Sequence, residues 1–197
     1  MTEQLYKVLR RDGDKFVSCY GGHGAWTIGR WRSAKPPLKP CVRGIHLCRE
    51  GDLVHWLDEV VCPAEYTGEH IDCDNKVVVQ RARIGAPLET WDAETARLFA
   101  VDCARIAVNR HAREDQRESL HAVLDVTTVR VLYPGFAAAE AAAWAAGWAA
   151  AWATAGDAAG DAARAAAEAA ARAEQTTLLM RYLAGEQGPF VEAGVTT

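Results

Sequence analysis

The sequence predicts an α+β fold: a small, mostly antiparallel sheet with two or three helices, followed by a long alanine-rich helix or helical hairpin. Segments with strand patterns come first and helical patterns follow, an order typical of α+β proteins. From Phe136 to about Ala173 the chain is mostly alanine, the residue with the highest helix propensity. Pro134-Gly135 separates the two regions, since proline cannot continue a strand ladder and glycine frees the backbone. We therefore expect an α+β domain over residues 1–134, an Ala/Trp-rich helical segment over 135–185 and a flexible tail over 186–197.

Six segments of the first region have strand patterns. Residues 5–10 form the first, and the Asp12-Gly13 pair that follows is typical of a hairpin turn. The valine-rich segment 76–84 alternates between two faces, as a strand does. The other predicted strands are 16–20, 45–48, 64–73 and 126–133, with a long loop over 21–40 and one or two helical turns over 50–57.

Two helices are expected between these strands. The first begins near Asp92, where a carboxylate in the first turn suits the helix dipole. Its buried stripe repeats at helical spacing and consists of Phe99, Cys103, Ile106 and Ala107. A polar helix over residues 112–124 follows it.

The alanine-rich segment carries a tryptophan stripe. Trp144, Trp148 and Trp152 fall on one helical face at about 100° per residue. Forward along the helix the same stripe continues with small residues and then Met180; the small residues are Ala155, Ala159, Ala162, Ala166, Ala170 and Ala173. Indole rings of one helix could lie over the alanines of an antiparallel partner, which is either a second copy or the same chain folded back near Gly156 and Gly160. A second copy is expected first, which predicts a homo-oligomer with these tryptophans at its interface. Docking on the chain's own α+β domain is the alternative, and Glu140 argues against a membrane segment.

Composition limits the partners and the compartment. The net charge of -4, with 24% charged residues, gives no strong nucleic-acid signal. Arg30, Arg32, Lys35 and Lys39 form a local basic cluster that a solvated loop would also explain. The N-terminal segment lacks the apolar stretch of a signal peptide, so we expect a cytoplasmic protein with six free thiols.

A metal site is one interpretation of the segment 41–57. Cys41, His46 and Cys48 carry the ligand types that zinc prefers, and a closed site needs four ligands. Either the pair Cys19 and His23 or the pair His70 and Cys73 could complete it. Buried thiols beside a hydrogen-bonded histidine are the alternative.

Two further clusters could carry chemistry. In GGHGAW, the glycines around His23 permit close approach of a ligand, and Trp26 or Trp31 could stack on a ring. The face formed by His111, Glu114, Glu118 and His121 has the spacing of a carboxylate-metal helix. The arginines interleaved with it favour a solvated, ion-paired face instead.

Six motifs span about residues 5–105: YKVLR, CYGGHGAW, PCVRGIHLCREGDLVHWL, EYTGE, DNKVVVQRARI and LETWDAETARLFAVDCA. Together they resemble an uncharacterised domain of actinobacterial and phage genomes. The resemblance implies a phage or mobile-element accessory protein, because that domain often precedes low-complexity alanine/tryptophan tails. It implies no activity.

The order of elements over residues 44–84 is also similar to the middle of ADP-ribosyltransferase folds. That resemblance implies a site for NAD, with His46 or His23 as catalytic residues and with Gly22, Trp26, Trp31 and His55 binding the ligand. The sequence departs from the pattern because the catalytic glutamate has no clear position. Glu65 and Glu89 are the candidates.

Three functions follow from the sequence. A binding or interaction module that assembles through its Ala/Trp helix is expected first. The alternatives are an ADP-ribosyltransferase-like enzyme that uses NAD or another nucleotide, and a zinc-stabilised module.

Overall fold

A computed structural model of the chain describes residues 3–19, 24–124 and 161–186. The chain divides into two compact units, Met1–Trp91 and Asp92–Thr197. The first unit contains an antiparallel sheet and the second contains helices, so the predicted α+β class is confirmed. The boundary predicted at residues 134–135, the strand predicted over 126–133 and the three tryptophans of the tail lie outside the described residues.

Seven strands form the sheet of the first unit, and all their pairings are antiparallel. The strand order is β3-β2-β1-β6-β7-β4, and β5 also pairs with β7. A 3-10 helix, Glu50–His55, lies between β5 and β6. The strands are β1 Leu5–Asp12, β2 Lys15–Ser18, β3 Ala25–Trp26, β4 Arg32–Ser33, β5 Ile45–Leu47, β6 Val60–Cys73 and β7 Lys76–Ile84.

The sheet curls until its first and last strands meet. Arg32 of β4 donates from Nη1 to the carbonyl oxygens of Gly24 and Ala25, at 3.1 and 3.0 Å. The backbone N–H of Gly29 donates to the carbonyl of Ile84 on β7, at 2.8 Å. The enclosed face buries a continuous apolar cluster, which consists of Leu5, Leu9, Trp26, Ile45, Leu47, Val60, Cys62, Ala64, Val77, Val79, Ala82 and Ile84.

The sheet differs from the predicted one in two places. The expected loop over residues 21–40 contains β3 and β4, which are only two residues long and too short to show an alternating pattern. β6 begins at Val60, before the predicted start at residue 64, and its register with β7 shifts between Thr67 and His70. The hairpin between β1 and β2 forms as predicted, with Asp12 paired to Lys15 across a two-residue turn.

Gly44 allows β5 to lie close against β7. Its φ of 143° falls in the region that glycine adopts readily and other residues rarely adopt. A Cβ at this position would collide with the Cγ1 methyl of Val78, which is fully buried. A glycine is therefore required here for Ile45 and Leu47 to reach the core.

We expect Gly44→Ala to destabilise the first unit by about 2–4 kcal/mol, since strained backbone and overpacking each cost roughly 1–3 kcal/mol. The free energy of unfolding in urea measures the effect. Gly51→Ala is the matched control, because a Cβ at Gly51 meets no atom within 4 Å. Equal stability of the two variants would contradict this account of β5.

The described part of the second unit contains three α-helices: α1 Ala93–His111, α2 Glu114–Val123 and α3 Asp161–Leu183. Asp92 caps α1 as expected, since its side chain accepts a hydrogen bond from the backbone N–H of Thr95 at 2.7 Å. The predicted stripe of α1 is correct for Phe99 and Cys103, which are buried. Ile106 and Ala107 are only partly buried.

The C-terminal turns of α3 pack on α1. The hydroxyl of Tyr182 donates to the carboxylate of Asp102 at 2.8 Å, and both side chains are buried. The rings of Phe99 and Tyr182 meet edge to face, with their centroids 6.1 Å apart. Nearer the N-terminus of α3 the side chains of Ala166, Ala170 and Ala173 are exposed. None of the helices in the described parts of the chain is long and apolar enough to cross a membrane.

Candidate functional site

A cleft opens at the mouth of the curled sheet, where β3, β4 and the segment before β5 come together. Its volume is about 310 Å³, at the lower end of the range of small-molecule sites. The lining residues are Trp26, Arg32, Ser33, Ala34, Lys35, Val42, Arg43, Gly44 and Ile45. Within the described parts of the chain, this lining contains three cations and no carboxylate, so the cleft favours an anion.

Trp26 forms the apolar wall of this cleft. Only 4% of the residue is exposed, and its indole Nε1 donates to the hydroxyl of Ser18 at 2.9 Å. Two cations lie over the ring: the Arg32 guanidinium carbon at 4.9 Å and the Lys7 Nζ at 5.8 Å from the ring centroid. Each contact is within the range of cation–π attraction, so the indole holds both positive groups near the cleft.

The three cations of the cleft differ in how firmly they are held. Arg32 is fixed by its two carbonyl acceptors and by the indole. Both hydrogen bonds use Nη1, which carries only some of the N–H groups of the guanidinium. Arg43 is exposed and donates to the carbonyl of Pro36 at 3.3 Å. Lys35 is exposed and, among the described residues, makes no ion pair. One fixed guanidinium and two adaptable cations thus surround the space.

Lys7 was missed by the sequence interpretation. It lies in β1 between Leu5 and Leu9, so its side chain enters the enclosed face of the sheet. Its Nζ donates to the carbonyl oxygen of His46 at 3.0 Å. Burial lowers the pKa of Lys7, and the charge of Arg32 lowers it further, against the opposing effect of the Cys48 and Cys19 thiols. The signal in the sequence is a lysine at a position where the alternation of the strand predicts an apolar residue.

The structure disperses the proposed zinc ligands. Cys41 is exposed at the tip of a tight turn, and its sulfur lies 3.3 Å from the Lys76 Nζ. Cys48 is buried, and its backbone exchanges two hydrogen bonds with Tyr6, each 2.8 Å long. Within the described ranges, no three His, Cys, Asp or Glu side chains form a group that could hold a metal ion. Cys41, His46 and Cys48 therefore do not form the predicted centre.

The other predicted site residues are also separated. His46 lies on β5 and meets this region through its backbone, as the acceptor of the Lys7 hydrogen bond.

Trp31 is not among the residues that line the cleft, and the guanidinium groups of Arg81 and Arg83 lie 4.9 and 5.0 Å from its ring centroid. His55 ends the 3-10 helix. Gly22 and His23 lie outside the described residues, so only Trp26 of the predicted ligand-binding set is placed in the cleft.

The predicted histidine and glutamate face near residue 111 does not lie on one helix. α1 ends at His111 and α2 begins at Glu114, with extended backbone at Ala112 and Arg113 between them. His121 instead contacts Asn109, with its ring Nε2 2.8 Å from the side-chain oxygen. The break in the helix removes the i, i+3, i+7 and i+10 arrangement on which this interpretation depended.

Comparisons with family models, with curated proteins and with solved structures found no match to the chain. They neither support nor contradict the two resemblances in the sequence.

The six thiols should differ sharply in reactivity. Burial raises the pKa of Cys48 to about 12 and that of Cys62 to about 11, and it also raises the pKa of Cys103. The thiolate is the reactive form, so at pH 8 only roughly one in 10⁴ Cys48 side chains is reactive. We expect iodoacetamide to alkylate the exposed Cys41 at least about 100-fold faster than Cys48, as measured by mass spectrometry of the peptides.

The same reaction in urea is the control, because unfolding should make the six rates similar. Equal rates of Cys41 and Cys48 in the native protein would contradict the burial described above.

Proposed function

We propose that the chain is a binding module whose cleft takes a compact anionic ligand with phosphate or carboxylate groups. One observation supports this most directly: Arg32, Lys35 and Arg43 line a space of about 310 Å³, and no carboxylate is among its described lining residues. Charge-assisted hydrogen bonds to such groups are roughly twice as strong as neutral ones. An interaction role was expected from the sequence, and the cleft adds a ligand class to it.

The distribution of charge along the chain also supports an anionic ligand. Residues 15–49 contain seven lysines and arginines and no aspartate or glutamate. All nine residues that line the cleft come from this segment. Eight of them lie in β4, in β5 or between these two strands, and the ninth, Trp26, belongs to β3. The net charge of the whole chain, -4, conceals this local excess of positive charge.

NAD and ADP belong to the proposed ligand class, because each carries a pyrophosphate. NAD also tests the ADP-ribosyltransferase hypothesis, since an enzyme of that kind would release nicotinamide. Chromatography of a mixture of the protein and NAD measures that release. Binding of NAD without release supports a binding module, and release that depends on His46 supports the enzyme.

Isothermal titration calorimetry with ADP and with inorganic pyrophosphate tests the cleft. We expect the double variant Lys35→Gln/Arg43→Gln to bind at least tenfold more weakly than the parent, because each charged hydrogen bond contributes about 1.5–3 kcal/mol. Affinity of the parent should also fall as salt is added.

Lys15→Gln is the control, because it removes a positive charge from an exposed position on β2 that does not line the cleft. An equal loss of affinity in this variant would show that only overall charge matters. Unchanged affinity in the double variant would refute the cleft as the site.

We also propose self-association through the alanine-rich helix. The observation in its favour is that Ala166, Ala170 and Ala173, which belong to the predicted alanine stripe, are exposed along α3. An exposed row of small side chains leaves room for a large ring from another helix. The phage or mobile-element accessory role has no support beyond the sequence resemblance and stays an expectation.

Replacing Trp144, Trp148 and Trp152 together with alanine should abolish assembly, because three indole rings carry most of the apolar area on the predicted stripe. Native mass spectrometry measures the subunit number. Leu120→Ala, which removes an exposed leucine of α2, should leave it unchanged. A triple variant with the same mass as the parent assembly would disprove the pairing.

A further inference from the structure

Lys7 is an amine in an unusual position. Its side chain lies on the enclosed face of the sheet, and the register places it opposite Cys62, which is fully buried. The His46 carbonyl accepts one hydrogen bond from its Nζ, and among the described residues no carboxylate pairs with it. A buried lysine without a carboxylate is costly as an ammonium ion, so the neutral amine forms more readily there than in an exposed lysine.

Lys7 is also adjacent to the cleft. Its Nζ and the Arg32 guanidinium both lie over the Trp26 ring, and Trp26 and Arg32 line the cleft. Lys7 does not itself line the cleft, but the residue is partly exposed and lies beside these two lining residues. A second cation close to an amine favours its neutral form, which is one of the ways in which proteins activate lysine as a nucleophile.

We infer that the cleft captures small anionic aldehydes or ketones, with Lys7 Nζ forming a Schiff base to the carbonyl carbon. The inference rests on the proposed anion site, since Arg32, Lys35 and Arg43 hold the phosphate or carboxylate of the same molecule. Neutral carbonyl compounds have no anionic group that these cations could bind. Phosphorylated aldehydes and α-keto acids are the classes that combine both groups at a size suited to about 310 Å³.

The reaction balances without a redox partner. The neutral amine attacks the carbonyl carbon, and a new C–N bond forms while the C=O π bond opens. A proton moves from nitrogen to oxygen to give the carbinolamine. Loss of water then forms the C=N bond, and this water contains the carbonyl oxygen and the two amine hydrogens.

Reductive trapping tests the inference on the full chain. The probe is glyceraldehyde 3-phosphate, with glyceraldehyde as its neutral counterpart, and sodium cyanoborohydride reduces any imine to a stable secondary amine. The chain has five lysines, Lys7, Lys15, Lys35, Lys39 and Lys76, so peptide mapping by mass spectrometry assigns every adduct. We expect the phosphorylated probe to label Lys7 at least tenfold more than Lys15, and glyceraldehyde to show no such preference.

Two variants separate chemistry from folding. Lys7→Arg keeps a positive donor that can reach the His46 carbonyl but forms no Schiff base, so it should fold and lose the preferred adduct without labelling elsewhere. Lys35→Gln/Arg43→Gln keeps Lys7 and should reduce its labelling by the phosphorylated probe at least fivefold, with little change for glyceraldehyde. Circular dichroism confirms that each variant is folded.

The outcomes distinguish this inference from the anion site. If calorimetry detects ADP or pyrophosphate in the cleft but Lys7 is labelled no more than Lys15, the inference is wrong and the binding function stands. If both aldehydes label Lys7 equally and calorimetry detects no binding, the inference and the anion site both fail. Preferential labelling of Lys35 would also overturn the inference, because it would place the reactive amine at the exposed rim.

Discussion

The contact between Arg32 and the β3 segment is the interaction on which the first unit depends. The hydrogen bonds from Arg32 to the Gly24 and Ala25 carbonyls join β4 to β3 at the two ends of the strand order, and the bond from the Gly29 N–H to the Ile84 carbonyl supports the same closure. The same guanidinium lies over the Trp26 ring and thereby holds that indole at the end of the core. Arg32 thus helps to close the sheet and places a positive charge at its mouth.

Closure by an arginine determines what the enclosed space can contain. An open sheet would leave Trp26 in solvent, whereas the curled sheet buries it within the apolar cluster. The closed sheet also places two positive groups, Lys7 and Arg32, over one ring in a partly apolar setting. Their mutual repulsion and desolvation oppose folding, while the cation–π contacts and the carbonyl acceptors offset part of that cost. An anion in the cleft would offset more of it, so ligand binding and the stability of the closed sheet should favour each other.

Local patterns in the sequence predicted the long elements well and the site poorly. The β1–β2 hairpin, β7 and the capped start of α1 follow from a turn dipeptide, alternating residues and an aspartate, each of which acts within a few positions. β3 and β4 have no recognisable sequence pattern because each is two residues long and is held by contacts across the sheet.

The sequence points to cysteines and histidines as the candidate site, because the chemistry of these residue types is conspicuous. The structure instead brings together Lys7, Trp26 and Arg32 through the curl, which no local spacing encodes. Arg30, Arg32, Lys35 and Lys39 were noticed as a cluster, but only the closed sheet shows that Arg32 and Lys35 line a cleft.

Arg32 has two roles, so a test of function is more informative at Lys35 and Arg43, the two exposed cations at the rim of the cleft. Changing Arg32 would remove both hydrogen bonds between β4 and β3 and a charge from the cleft at once, so a loss of binding would not reveal which effect caused it. Lys35 and Arg43 line the same cleft but make no hydrogen bond to β3, so their charges can be removed while the closing contact stays. Lys7 differs from both, because its amine is part of the interior and its carbonyl acceptor belongs to β5. The structure therefore separates three features: the closing contact of Arg32, the two rim cations proposed to hold an anion, and the Lys7 amine proposed to react. A ligand that engages the rim cations and the amine together must be small, anionic and electrophilic.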